Sequence, residues 1–156
     1  MSKKKYIARC PRCNHRVFDA DYADVEIKIA DRAEKYGAEK IFLGIPTMGY
    51  VWELPFVVGS SKGLAITNDS AIDLAKNMGT AISYDDLTKT AYFRYTIERE
   101  YVVRFRDSRT ILEYLYLMNE LGLKGNAIWN IMHFYPELWL TVNALYEISK
   151  IYEDYS

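Results

Sequence analysis

The sequence predicts an α/β fold, built as two successive strand–helix units of a (β/α) barrel with a small α+β insert between the two barrel strands. Three observations predict it. Two apolar runs, Lys40–Pro46 and Gly125–Met132, have the composition of strands covered on both faces. Segments with a helical period alternate with them. Between the two runs lies a stretch rich in β-branched and aromatic residues, which reads as short strands.

Taken in order, Val25, Ile27 and Ile29 alternate with polar residues and predict a short strand edge. "ADRAEKYGAEK" follows as a short helix, with Gly37 as its stop. "IFLGIPTMGYVW", Ile41 to Trp52, begins as a buried strand and ends in Pro46, Gly49 and two large aromatics. A strand that only fills a core has no need of such an ending. "NDSAIDLAKNMG" predicts a helix capped by Asn68 or Asp69, with Ile72, Ala75 and Met78 on one face and Gly79 at its end. "TAISYDD", "KTAYFRYT" and "REYVVRF" read as three strands, the last two a hairpin. "SRTILEYLYLMNELG" is an amphipathic helix in which Thr110 and Glu113 have capping-box spacing, Ile111, Leu115, Met118 and Leu121 line up, and Gly122 ends the run. "GNAIWNIM" is the second apolar strand. "PELWLTVNALYEISKIY" predicts the closing helix, with Pro136 at its first position.

At 156 residues the chain has the size of one domain, or of one with a small appendage. Its net charge of -1 offers no electrostatic case for nucleic acid, and Lys3, Lys4 and Lys5 read as a solvated start. No apolar run is long enough to cross a membrane. No apolar stretch follows the charged beginning, so no secretory signal is read and a cytoplasmic setting is expected. Two cysteines imply no disulfide framework. The 14 tyrosines, with 3 Trp and 6 Phe, serve either core and interface packing or stacking on flat ligands such as sugar rings.

The opening stretch and its successors carry a resemblance. "KIFLGIPTMGYVWELP" resembles the seventh barrel strand of family 18 glycoside hydrolases, and is most similar to the spore-germination, cortex-lytic N-acetylglucosaminidase branch. "AISYDDLTKTAYFRYT" resembles that family's insert between strands seven and eight. "RFRDSRTI" resembles the lead into the insert's final helix, "GLKGNAIWNI" strand eight, and "FYPELW" the opening of the last helix. The set spans roughly residues 30–150 in the family's order. It implies that these are the last two strand–helix units of the barrel, within a region 30–156 whose insert covers roughly 64–122.

The resemblance also implies a sugar cleft at the C-terminal ends of the strands, where such barrels carry their sites. Read from the residues alone, Trp129 is either a core residue between two layers or an exposed platform; the resemblance implies the platform, stacked on a pyranose face. Tyr50 and Trp52 are expected at the cleft mouth or packing the insert. Met48 stands where the family usually has Tyr, which takes a hydroxyl out of the expected cleft. The implied partner is an N-acetylglucosamine-containing glycan, peptidoglycan or chitin-like, and the implied setting is spore-associated.

Family 18 enzymes carry Asp-x-x-Asp-x-Asp-x-Glu on strand four, where the Glu protonates the leaving oxygen and the substrate's acetamido group supplies the nucleophile. No such run occurs in the 156 residues. "DADYADVE" imitates it with Asp19, Asp24 and Glu26, but Tyr22 takes one acidic place and no Gly-rich apolar strand precedes it, so Glu26 is expected as an exposed strand residue. The chain is therefore expected to bind glycan without cleaving it, with no catalytic residue and no cofactor.

"ARCPRCNHRVFDADYADVEIK" resembles the first half of phage Com-like zinc-finger proteins, which marks residues 1–29 as a half-finger segment. The second Cys-x-x-Cys of that pattern is due near Ile29, where the text is "IADRAEKYG". Cys10 and Cys13 offer two thiolates toward a zinc site that needs about four ligands. His15 follows too closely for an easy third, and His133 is expected at the surface or in the cleft. "GSSKG", Gly59 to Gly63, lacks P-loop spacing and reads as a turn. Two rival functions stay open. One is an interaction protein that forms a homodimer, or docks a protein partner, through open barrel edges; the other is a small zinc-dependent regulator.

Overall fold

The structure is a computed structural model that describes residues 8–9, 16–18, 22–57 and 59–149. Strands β1 (Ala8–Arg9) and β2 (Arg16–Phe18) pair antiparallel. Then follow helix α1 (Tyr22–Tyr36), a 3-10 turn at Ala38–Lys40, β3 (Phe42–Pro46), β4 (Met48–Glu53), β5 (Leu64–Thr67), α2 (Asn68–Asn77), β6 (Ser83–Asp85), β7 (Thr90–Thr96), β8 (Glu100–Phe105), α3 (Ser108–Glu120), β9 (Gly125–Trp129) and α4 (Pro136–Leu145). The predicted fold class holds: this is a partial (β/α) barrel with an α+β insert.

The barrel part is β3 and β9, paired in parallel from Phe42↔Gly125 to Pro46↔Trp129. Alternation sends Leu43 and Ile45 to one face and Phe42 and Gly44 to the other. The first face is the core. Ile45 packs with Ile111 and Leu115 of α3 and with Tyr135 and Leu138 at the start of α4. The second face is bare among the described residues: Phe42 is 58% exposed and Trp129 70%, with Gly44 and Ala127 exposed between them. The expectation that these strands are covered on both faces is thus corrected. Apolar composition reports a buried setting but does not say that the second cover is at hand.

The insert is a five-stranded antiparallel sheet in the order β5-β4-β8-β7-β6. Helix α2 covers one face, where Ala71 and Ala75 meet Ala91, Phe93, Val103 and Phe105. The small α2 residues let the helix lie close on the sheet. Ile72, on the same helix, also reaches the barrel core, so α2 bridges the two layers. The sheet begins at Met48, ahead of residue 64, because "MGYVWE" is itself a strand that pairs with both β5 and β8. Helix α3 packs its Ile111 and Leu115 on the barrel strands.

Three local readings are corrected. Val25, Ile27 and Ile29 lie on α1, not on a strand. The inward positions are Tyr22, Val25, Ile29 and Ala33, spaced three and four apart, while Ile27 is 59% exposed. Glu26 is exposed as expected, but on that helix. The cap of α2 is Thr67, whose hydroxyl accepts from Ser70 N–H at 3.1 Å. The cap of α3 is Asp107, whose carboxylate accepts from Arg109 and Thr110 N–H at 3.0 and 3.3 Å. Each true cap sits ahead of the residue the sequence suggested, on the last extended position before the helix. Gly37, Gly79 and Gly122 all have positive φ at helix ends, as their places predicted.

Candidate functional site

The C-terminal ends of β3 and β9 are joined by one buried residue, Thr47, 1% exposed. Its N–H donates to the Trp129 carbonyl at 2.8 Å. Its hydroxyl accepts from Asn130 N–H at 3.0 Å and lies 3.0 and 3.2 Å from the carbonyls of Asn130 and Trp129. Thr47 O in turn accepts from Asn68 N–H at 3.3 Å at the start of α2. Asn68, also 1% exposed, accepts from Arg106 N–H through its side-chain oxygen at 3.3 Å. Barrel strands, insert sheet and α2 therefore meet at a fixed joint directly beneath Trp129.

Trp129 closes β9 on the bare face, in register with Pro46. It is 70% exposed, at the end of the strand where barrel sites form. Met48 follows Thr47 directly, and its carbonyl accepts from the Arg106 guanidinium at 3.4 Å. Tyr50 is half-buried on the insert face opposite α2, its ring 5.4 Å from that of Trp52. Trp52 is 4% exposed, and a Cβ added at Gly63 would fall 2.8 Å from its indole, so the β4–β5 connection lies against it. The structure thus brings Met48, Tyr50 and Trp52 onto one strand, couples Met48 to Trp129 through Thr47, and leaves Trp52 as sheet packing.

The same insert face carries residues that the sequence did not single out. Arg104 is in register with both Tyr50 and Tyr92. Its guanidinium lies 5.3 Å from the Tyr92 ring centre and pairs with Asp85 at 3.2 Å. Burial would raise the Asp85 carboxyl, but hydrogen bonds from Thr88 and Leu87 N–H, the Thr88 hydroxyl and Arg104 outweigh it and hold the group below its ordinary value. Tyr50 is thus flanked by a cation held in place by a carboxylate.

At the start of α4, Tyr135 is 1% exposed. Burial, and then the carboxylates of Glu137, Asp107 and Asp69, push its phenol above the ordinary range, so it stays neutral. His133 is half-buried on the turn after β9. No group of three metal-ligating side chains occurs among the described residues. Cys10, Cys13 and His15 lie outside the described residues. Where the half-finger pattern would place its second cysteine pair, α1 runs through without a cysteine. No helix among the described residues is long and apolar enough to cross a membrane.

No family model matches the chain. Individual relatives do. The cortical fragment-lytic enzyme of Bacillus subtilis (strain 168) is 32% identical over 115 residues, 72% of this chain and 27% of that enzyme. The crystal structure of the Bacillus megaterium QM B1551 spore cortex-lytic enzyme SleL superposes with a TM-score of 0.78 at 31% identity, over 85% of this chain and 32% of that one. A chitinase from Chromobacterium violaceum shares the fold at a TM-score of 0.71 and 24% identity, over 80% of this chain and 38% of its own. The chain spans about a quarter of the length of the curated relatives it matches. Over that span it is related to the glycoside hydrolases.

Proposed function

We propose that this chain, a relative of the cortex-lytic glycoside hydrolases, supplies one wall of a family 18 sugar cleft and binds an N-acetylglucosamine-containing glycan of the peptidoglycan or chitin type. The observation that carries the reading is Trp129. A tryptophan that is 70% exposed, at the C-terminal end of a barrel strand, with its backbone pinned by a buried threonine, is a rigid flat surface held toward solvent. Such a surface packs against the apolar face of a pyranose ring while the sugar hydroxyls turn to polar neighbours. In this reading Trp129 is the platform, Met48 follows the Thr47 joint on the insert strand, and Tyr50 stands beside Trp52 farther along that strand. Met48 offers a thioether in place of a hydroxyl, which favours contact over a hydrogen bond at that point.

The 156 residues contain no Asp-x-x-Asp-x-Asp-x-Glu run, so the chain by itself is assigned binding and not cleavage. Its relatives, named for spore cortex lysis, point to a spore-associated glycan. Co-sedimentation with purified spore cortex tests the reading. The folded chain is expected to pellet with the cortex and Trp129→Ala to stay in solution. Equal pelleting of both would remove Trp129 from the contact.

A further inference from the structure

We infer that the insert face opposite α2 carries a carboxylate-binding site centred on Arg106, which gives the glycan contact a preference for sugars that bear an acid group, as N-acetylmuramic acid does, over neutral N-acetylglucosamine chains. The inference rests on the glycan reading above and names the substrate feature that this wall selects.

Strand alternation builds the face. Val103 and Phe105 of β8 pack into the core under α2, so Arg104 turns the other way, in register with Tyr50 on β4 and with Tyr92 on β7. Arg106 has the same parity, one step past the end of β8, and its guanidinium donates to the Met48 carbonyl at 3.4 Å. Its backbone N–H donates to the Asn68 side-chain oxygen at 3.3 Å. Asn68 N–H in turn donates to the Thr47 carbonyl, and Met48 is the next residue after Thr47. Arg106 is therefore anchored, by backbone and by side chain, to the joint that pins Trp129.

The two neighbouring guanidiniums differ in what they meet. Arg104 pairs with Asp85 at 3.2 Å and reaches the Thr88 and Thr90 hydroxyls at 3.4 and 3.3 Å. Arg106 is half-buried, and its Nε is fully buried with no hydrogen-bond acceptor among the described residues. A buried donor left without an acceptor is costly, and a guanidinium fork matches the two oxygens of a carboxylate. Shelter from water also weakens the screening of such a pair. The half-buried rings of Tyr50 and Tyr92 lie on the same face, across neighbouring strands. Aromatic surface beside a guanidinium suits a pyranose that carries an acid, with the ring on the aromatic and the carboxylate on the cation.

Calorimetric titration of the whole chain with three tetrasaccharides tests the inference. One is a neutral N-acetylglucosamine chain. The second alternates N-acetylglucosamine with N-acetylmuramic acid and has free lactyl carboxylates. The third is the second with those carboxylates converted to carboxamides. The wild type is expected to bind the acid form about tenfold more tightly than the other two. Arg106→Gln is expected to bind all three alike, and Arg106→Lys, which keeps the charge but not the fork, to retain part of the preference. The comparison of acid with carboxamide on the wild type needs no variant, so it decides even where Arg106→Gln fails to fold. A wild type that binds all three equally overturns the inference and leaves the glycan reading standing. A folded Arg106→Gln that keeps the preference overturns the assignment to Arg106. Binding of none of the three overturns both.

Discussion

The Thr47 hydroxyl and the Asn130 backbone hold each other at the ends of two strands that are 83 positions apart in sequence, with Oγ1 accepting from Asn130 N–H at 3.0 Å. The contact fixes the peptide on which Trp129 is carried. Replacing Thr47 with Val keeps the shape but strands a buried N–H, which costs about 1–3 kcal/mol. Urea denaturation of Thr47→Val should show that loss, and Thr47→Ser should recover most of it. A variant as stable as wild type would mean that the strand ends are held by other contacts.

Acid should reach the insert face through Asp85. Its carboxyl lies below the ordinary value of 3.8 in the folded chain, so its charged form is favoured by folding. That contribution is complete above the ordinary value and fades as pH falls through the lowered one. Wild-type melting temperature should therefore drop as pH is taken below about 4. Asp85→Asn should be less stable near neutrality and lose less on acidification. Parallel acid profiles for the two proteins would show that the Arg104 pair is not the sensor.

Gly49 and Gly44 should respond differently to one added methyl. On Gly49 a Cβ would lie 2.2 Å from the Arg104 carbonyl, because β4 crosses β8 there without room for a side chain. Gly49→Ala is expected to destabilise by about 1–3 kcal/mol through overpacking. Gly44→Ala faces open space and should change stability by less than about 1 kcal/mol. Chemical denaturation of both variants checks the pair, and a costly Gly44→Ala would contradict a bare inner face.

The start of α3 depends on Asp107. Its carboxylate accepts from two N–H groups of the first turn, and Asp107→Ala should cost about 0.5–2 kcal/mol. Thr110→Ala tests the displaced alternative. If Thr110 and not Asp107 carried the capping role, Asp107→Ala would leave the thermal midpoint where it is.

The architecture was legible where local pattern and tertiary setting agree. Ile111 and Leu115 announced the buried side of α3, and "FLGIP" and "GNAIW" announced the barrel strands. Legibility failed where one pattern served two elements. Val25, Ile27 and Ile29 alternate as a strand would, yet the spacing of Tyr22, Val25, Ile29 and Ala33 is helical, and the longer segment prevails. "MGYVWE" read as the tail of a barrel strand because only one residue, Thr47, separates it from Pro46. Trp129 was visible as a tryptophan, but its exposure follows from its place at the end of β9 on the bare face, which no residue type encodes. Thr47 and Arg104 carried no local mark, since their importance comes from partners 83 and 19 positions away.

The central claim is that the end of β9 presents Trp129 to a sugar. A fluorescence titration of the chain with N-acetylglucosamine oligomers, beside Trp129→Ala, tests it most directly, since Trp52 and Trp139 remain as internal reporters of folding in both. A saturable change in the wild type that disappears in the variant is the predicted result. A folded wild type with no response, or a variant that responds equally, would contradict the account and leave Trp129 as a contact for protein.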